Sequence, residues 1–599
     1  MNQQKEKSVS GAEKVLWDLS DLYSSPDDPA LERDRKKVLK VSEQFADRFR
    51  GRVGSLEPVE FADALTQYEE ILSLIGRIGS YAYLSWSTAT DNPSLGKQLQ
   101  QANELGSEVS QKLVFFTVEW MKVEDDRAEE LTHSPVLSPW KHYLTVSRLY
   151  RNHTLSEEAE QVLSAAGVTG RSAWNRYFDE TLGAARFEFE GEELTEQEVL
   201  GKLHNEDRET RQKAHASLTK TFGSLSRSLT FIFNTILADK YSRDKLRGYE
   251  HWLASRNLSN QTDRETVDAL IEAVTSFYPV VQRYYGLKKK LLGVHELFDY
   301  DRYAPVTKTS QHVEWEKAKE LVLEAFGEFH PRKKAIAGEF FDKQWIDAAI
   351  RPGKRGGAYS ASTVTTVHPY VFMNYDGRLR DVQTLAHELG HGVHQYLSAG
   401  QGELQSSTPL TTAETASVFG EMLVFNRLMD QLSDPAERLA LLVSKIDDTI
   451  ATVFRQVSMN RFEEKMHTAR RVEGELSKEQ FSALWRETQE DLYGDSVTLT
   501  EEYSLWWCYI PHFLHSPGYV YAYAFGELLV LSLFDLYQQS DPKEFSEKYL
   551  ELLSAGGSDW PAELIGKMGM DIRDKEFWRN GLNLFEKMVQ DAEELAGSL

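Results

Sequence analysis

His387-Glu388-Leu389-Gly390-His391 is the group of residues in this chain whose types and spacing are best suited to chemistry. Histidines at i and i+4 of a helix project from one face. Their two ring nitrogens can reach a single zinc ion at about 2.0–2.1 Å. Glu388, beside the first histidine, points slightly aside and can serve a metal-held water as general base without being a ligand. The plain alternative is two solvated histidines on an ordinary amphipathic helix. Against it, Val382, Leu385, Ala386, Leu389 and Val393 form an apolar stripe that brackets the pair and makes the helix part of a wall. Asp381 is expected to cap its start.

A catalytic zinc site of this kind needs a third protein ligand. His394 lies one turn past His391 but two turns, roughly 10 Å, from His387, so the three cannot easily share one ion. The position six residues beyond His391 is Leu397 and offers no donor. Glu414, in Thr411-Thr-Ala-Glu414-Thr-Ala-Ser417, is the workable candidate, placed in the first turn of a second helix after a loop over 398–405. Thr411-x-x-Glu414 also reads as a capping box, so ligand and cap both stand as readings of this carboxylate. Glu421, seven residues on along the same face, suits the orientation of a ligand histidine through its second nitrogen.

The elements that must hold these residues are mostly helical. From Leu95 the apolar positions recur at Leu99, Ala102, Leu105, Val109, Leu113, Phe116 and Trp120, and similar stretches run near 57–80, 155–166, 262–292, 436–466 and 577–595. No period of 20–50 residues repeats, which argues against a solenoid. Residues 352–380 break the pattern with Pro, three Gly, and then β-branched and aromatic residues up to an Asp376-Gly377 turn. They predict two or three short strands forming one small sheet beside the histidine helix. A strand at 370–375, with Tyr370, Phe372 and Asn374, could pair with an extended peptide backbone. A junction near 190–205 divides the chain into 1–200 and 201–599.

Composition narrows the function classes. The 599 residues are 41% hydrophobic, enough for a large core and far beyond a single-core length. A net charge of −25 opposes a nucleic-acid partner. Cys508 is the single cysteine, which excludes an internal disulfide and fits a reducing compartment. Its place beside Trp506 and Trp507 marks it as a buried small residue. The polar N-terminus has no secretory signal pattern and no run of 18 apolar residues occurs, so a cytoplasmic protein without membrane attachment is expected.

Taken with these features, His387-Glu388-Leu-Gly-His391 and Glu414-Thr-Ala-Ser417 resemble the M3 family of zinc metallopeptidases, in its oligoendopeptidase F branch. Trp17-Asp-Leu-Ser-Asp-Leu-Tyr23, Gly356-Gly357-Ala-Tyr359, Phe372-Met-Asn-Tyr375, Phe462-Glu463, Tyr493-Gly-Asp495 and Trp507-x-x-Ile510-Pro-His512-Phe513 extend the likeness over nearly the whole chain. Ser360 stands where relatives often carry Cys or another small residue. The resemblance implies a mostly α, large helical ellipsoid with a deep channel, its walls built from residues 1–200 and 201–599. It also implies one Zn²⁺ per chain on His387, His391 and Glu414, and unfolded oligopeptides as substrates. His512, with Tyr519 or Tyr521 first and Tyr523 next, would support the oxyanion, and Gly518 would let these donors move. The expected activity is zinc-dependent hydrolysis of internal peptide bonds, with Glu388 taking the proton of the attacking water. A metallocarboxypeptidase or an inactive peptide-binding scaffold are the alternatives. The sequence does not fix an oligomeric state.

Overall fold

A computed structural model describes residues 10–306 and 312–599. Helices dominate it, and those expected from periodicity are present. They include Pro58–Ser87, Pro93–Lys122, Glu157–Thr169 and Lys575–Ser598. The 262–292 stretch is two helices, Arg264–Ser276 and Tyr278–Leu291. Pro279 explains the break, because its ring disfavours helical backbone just before it and it has no N–H to donate. The 436–466 stretch runs as Pro435–Thr449, a π turn over Ile450–Phe454, and Arg455–Glu473. Among the described residues, no helix is long and apolar enough to cross a membrane.

The chain forms two compact units, each assembled from three stretches. The first comprises Met1–Arg151, Ser310–Gln431 and Leu536–Met570. Here Pro29–Phe49, Pro58–Ser87 and Pro93–Lys122 pack together around Phe45, Phe61, Phe116 and Trp120, with rings 5.3–5.8 Å apart. The same unit holds the histidine helix, Leu379–Ser398, and a small sheet. The second unit comprises Asn152–Thr309, Leu432–Asp535 and Asp571–Leu599. Its core gathers Phe222, Phe233, Phe462, Trp485 and Trp507 around the long helix Arg208–Leu246.

The second unit also contains a two-stranded hairpin, β1 (Phe187–Phe189) and β2 (Glu192–Leu194). The sheet beside the histidine helix is therefore not the only one. The hairpin is masked in sequence by four glutamates in eight residues, and only the Glu190-Gly191 turn, with φ of 53° and 89°, marks it. The 190–205 stretch, read as a junction, runs from that turn through the helix Glu196–Lys202 and lies inside the second unit.

The sheet of the first unit has three strands, β3 (Ile346–Asp347), β4 (Tyr359–Ala361) and β5 (Tyr370–Phe372), in the order β3-β5-β4. β5 is parallel to β3 and antiparallel to β4. Tyr370, Val371 and Phe372 are all fully buried, as a central strand of β-branched and aromatic residues should be. The Trp17 motif lies against it. The Trp17 ring sits 5.8 Å from Tyr370 and 5.7 Å from Phe372, and the Tyr370 hydroxyl donates to the Asp18 carbonyl. Lys354 fastens the following loop. Its buried amine pairs with Asp347 at 2.7 Å and donates to the Ala349 and Met373 carbonyls.

Candidate metal centre

The Leu379–Ser398 helix begins two residues before Asp381, so Asp381 is not the N-cap. It acts from the third position instead, accepting the backbone N–H groups of Asp376 and Arg378 at 2.9 and 3.0 Å. Glu414 is likewise outside the first turn of a helix. It follows the short turn Leu410–Ala413, three residues ahead of the helix Ser417–Gln431. No side-chain cap closes that short turn, so the capping-box reading of Glu414 does not hold. The carboxylate instead accepts the Ser417 hydroxyl at 2.7 Å and faces the histidines.

Ring nitrogens of His387 and His391 and a carboxylate oxygen of Glu414 lie within 4.8 Å of one another. Both histidine Nε2 atoms are 3.4 Å from Glu414 Oε2. Ligands about 2.05 Å from a tetrahedral zinc are roughly 3.3–3.4 Å apart, so these separations fit the ion. Two histidines and a carboxylate are also a donor set of the kind that leaves a fourth position open for water or substrate. Glu421 completes the group by accepting His387 Nδ1–H at 2.5 Å, which leaves Nε2 directed at the site.

The electrostatics follow from crowding these charges together. Burial opposes charge on His387, but the hydrogen bond and charge of Glu421, with Glu414 and Glu388, raise its pKa to about 9. Burial also opposes the charge of Glu414, yet His391, His387 and Ser417 hold its carboxyl down at about 2. Glu388 is only 6% exposed, and burial lifts its pKa above the usual carboxylate range although both histidines pull it down. A proton acceptor poised in this way is what general-base chemistry asks for. His394, buried on the same helix, is depressed to about 3 by burial and by the charges of His391 and Lys333.

Two contributors escaped the sequence reading. Ser417 positions Glu414, and its place in the Glu414-Thr-Ala-Ser417 motif was the available signal. Gly390 is the other. A Cβ there would lie 2.4 Å from the Ala416 carbonyl oxygen and 2.6 Å from Ser417 Cα. The absence of a side chain at 390 is thus what lets the 414–417 segment approach the histidine helix.

The C-terminal candidates lie in the second unit. His512 Nε2 is 3.2 Å from the Tyr523 hydroxyl, its ring is parallel to that of Tyr519, and Tyr519 meets Tyr523 edge-on at 5.0 Å. Burial, with the charges of Arg455 and His515, lowers the His512 pKa and so disfavours the charged ring. Tyr521 is not part of this trio. It is fully buried, and its hydroxyl donates to Asn257 at 3.0 Å and accepts from Asn260 at 2.8 Å. Gly518, at φ 74°, donates its N–H to the buried carboxylate of Glu463, whose pKa burial pushes up to about 8.

The expected substrate strand is placed differently from the sequence reading. β5 is paired on both sides, so its backbone cannot add a peptide strand; β3 and β4 are the edges. Tyr370 and Phe372 are buried in the sheet, and Asn374 donates to the Arg355 and Gly357 carbonyls, bracing the glycine-rich loop.

A family model described as peptidase family M3 matches residues 202–584. The chain belongs to peptidase family M3. A second model, described as oligopeptidase F, matches residues 119–187 of this M3 chain. The chain is 26% identical over 604 residues to the oligopeptidase PepF of Bacillus subtilis, covering 99% of this chain and 89% of that one. An oligoendopeptidase F homolog of Borreliella burgdorferi is 27% identical over 596 residues, covering 97% and 98%. Among solved structures, oligoendopeptidase-F from Enterococcus faecium superposes with a TM-score of 0.71 at 25% identity, over 95% of this chain and 99% of that one. A peptidase structure from Chlamydophila abortus, at 22% identity, shares the fold with a TM-score of 0.86 over 98% and 99%.

Proposed function

We propose that this M3 peptidase is a zinc-dependent oligoendopeptidase that cleaves internal bonds of unfolded oligopeptides. The observation that carries this reading is the pair of 3.4 Å separations joining His387 and His391 to Glu414, with Glu388 buried beside them. Zinc, held by those three side chains, supplies Lewis acidity and a lowered pKa for water. Glu388 takes the proton of the attacking water and passes it to the leaving amine, and its raised pKa matches an acceptor that must also release a proton. Glu421 keeps the His387 ring in the orientation that presents Nε2.

His512 contributes a neutral ring N–H toward the developing oxyanion, with Tyr523 or Tyr519 beside it. Tyr521 is left out, since both hydrogen-bonding roles of its hydroxyl are taken. An extended substrate backbone is proposed to lie along β4, an edge strand that Ser360 ties to the histidine helix, rather than β5. The regions 1–200 and 201–599 serve as an oligopeptidase F-type N-terminal part and a catalytic part, a division supported by the two family matches. Action in the cytoplasm on oligopeptides, with no nucleic-acid or membrane partner, fits the acidic charge and the lone buried cysteine.

An internally quenched peptide blocked at both ends tests the reading, together with zinc measured per chain. Glu388→Gln should lose activity by at least about 10³ while retaining zinc. Retention of more than a tenth of the activity removes Glu388 as the base. Failure of the wild type to cut blocked peptides while trimming free C-termini would make it a carboxypeptidase, and zinc without any cleavage would leave a binding scaffold. His512→Ala should lower kcat by roughly 10²–10³ with KM little changed and zinc retained. Normal kcat per folded molecule would return His512 to a packing role.

A further inference from the structure

A cavity of about 230 Å³ opens beside His391 within the first unit. One wall is the second half of the histidine helix, with His391, His394, Gln395 and Ser398. The facing walls are the segment that continues directly from edge strand β4, residues 362–367, and residues 403–408. Ser360 on β4 ties the two walls together by donating to Gln395 at 2.8 Å. The cavity therefore borders His391 on one wall and the segment that leaves β4 on the other. Thr363, in its lining, sits at φ 56°, a backbone conformation that a β-branched residue adopts only when its surroundings hold it there. Its hydroxyl is fixed by the His368 carbonyl.

The chemistry of the lining is lopsided. Ser362, Thr363, Thr365, Ser406, Ser407 and Thr408 offer hydroxyls, and Val364, Val367, Ala399 and Ala413 offer apolar surface. The lining has no Lys or Arg, and its one acidic residue is Glu403. That carboxylate is held in place by the N–H and hydroxyl of Thr365, both 2.8 Å from Oε1. Such a cavity can take an aliphatic stem against the valines and alanines and a cationic head against the carboxylate and hydroxyls. For an acidic side chain it has neutral donors but no Lys or Arg, and Glu403 would repel it.

We infer that this cavity is a specificity subsite that accepts a Lys or Arg side chain of the peptide substrate close to the scissile bond, with Glu403 as its selecting residue. The inference rests on the proposed endopeptidase activity and adds a substrate class to it. It also bears on the carboxypeptidase alternative, because the lining of this cavity has no Lys or Arg to grip a free C-terminus.

The test is a set of end-blocked quenched peptides that place Lys, Arg, Gln, Leu or Glu at each position flanking the cut, with products mapped by mass spectrometry. At one flanking position kcat/KM should favour Lys or Arg over Glu by at least about tenfold, the effect of one charge-assisted contact. Glu403→Gln keeps an acceptor for Thr365, and should bring the Lys-to-Gln ratio at that position down about tenfold. Ser362→Asp, which adds a carboxylate to the same lining, should raise that ratio. Peptides cleaved with a flat preference, or a preference untouched by both substitutions, would overturn the subsite and leave the endopeptidase reading standing. If the zinc-loaded enzyme cleaves none of the blocked peptides, both readings fall together.

Discussion

Lys333, whose charge acts on His394, is a fully buried amine with no hydrogen-bond partner. Phe326, Phe329, Phe419 and Tyr549 surround it, their ring centres 4.3–5.8 Å from Nζ. Burial pushes its pKa from the usual 10.5 down to about 7, while the four ring faces favour the ammonium and return part of that cost. Desolvation is the larger effect, so Lys333→Met should stabilise the protein by on the order of 1–3 kcal/mol at pH 7. The sign with pH follows from linkage. A lysine whose folded pKa is depressed costs most at and below its folded pKa of about 7, and the cost fades as pH rises toward 10.5. Denaturant midpoints should therefore separate the variant from wild type more at pH 7 than at pH 9.5. A lower midpoint for the variant at pH 7 would show that the aromatic cage, not desolvation, dominates.

At the scale of elements, the candidate metal centre depends on how closely two segments approach. The histidine helix fixes His387, Glu388 and His391 by its own geometry, but Glu414 arrives from a separate segment that rests against Gly390. Replacing Gly390 by Ala would improve intrinsic helix propensity by about 1 kcal/mol. The clash outweighs that gain, because the atoms met at 2.4 and 2.6 Å belong to the backbone of Ala416 and Ser417, which cannot swing aside as a flexible side chain would. Gly390→Ala should therefore destabilise the protein by roughly 1–3 kcal/mol and lower zinc content, since Glu414 moves with that backbone. Melting temperature and zinc per chain measured together decide it. A stable Gly390→Ala protein with full zinc would mean that the site tolerates a wider separation. Gly420, whose added Cβ would meet the Ala386 carbonyl oxygen at 2.9 Å, repeats the device one turn further along.

At the scale of the molecule, all three proposed ligands belong to the first of the two units, as does Glu421. Ligand binding stabilises the state that holds the ligand by RT ln(1 + [L]/Kd), about 4 kcal/mol at a thousandfold excess over Kd. Removing zinc with a chelator should therefore raise amide exchange in Leu379–Ser398 and over 410–431, where the ligands and Glu421 reside. The Arg208–Leu246 helix of the second unit should keep its protection. Exchange measured by mass spectrometry with and without chelator checks this, and equal loss over both units would contradict a locally held ion.

The sequence by itself determined the helical character of the chain, the helix that carries His387, Glu388 and His391, and the small sheet ahead of it. These are local properties: a 3.6-residue period, an i,i+4 spacing and a β-branched run are all written in neighbouring residues. Membership of the M3 family was also legible, because its motifs are contiguous. Only the tertiary structure decided what Glu414 faces: Ser417 is a neighbour in sequence, but the two histidines meet it only because the 414–417 segment packs closely against Gly390. Strand order likewise lay beyond reach. β5 reads as a substrate strand until β3 and β4 are found on either side of it. Tyr521 and Tyr523 show the same division on one helix face and the next. The two tyrosines are alike in sequence, but Asn257 and Asn260 occupy one hydroxyl and His512 meets the other. Those partners lie 11 to 264 residues away, and a side chain's hydrogen-bonding surroundings at such separations are set by packing rather than by local pattern.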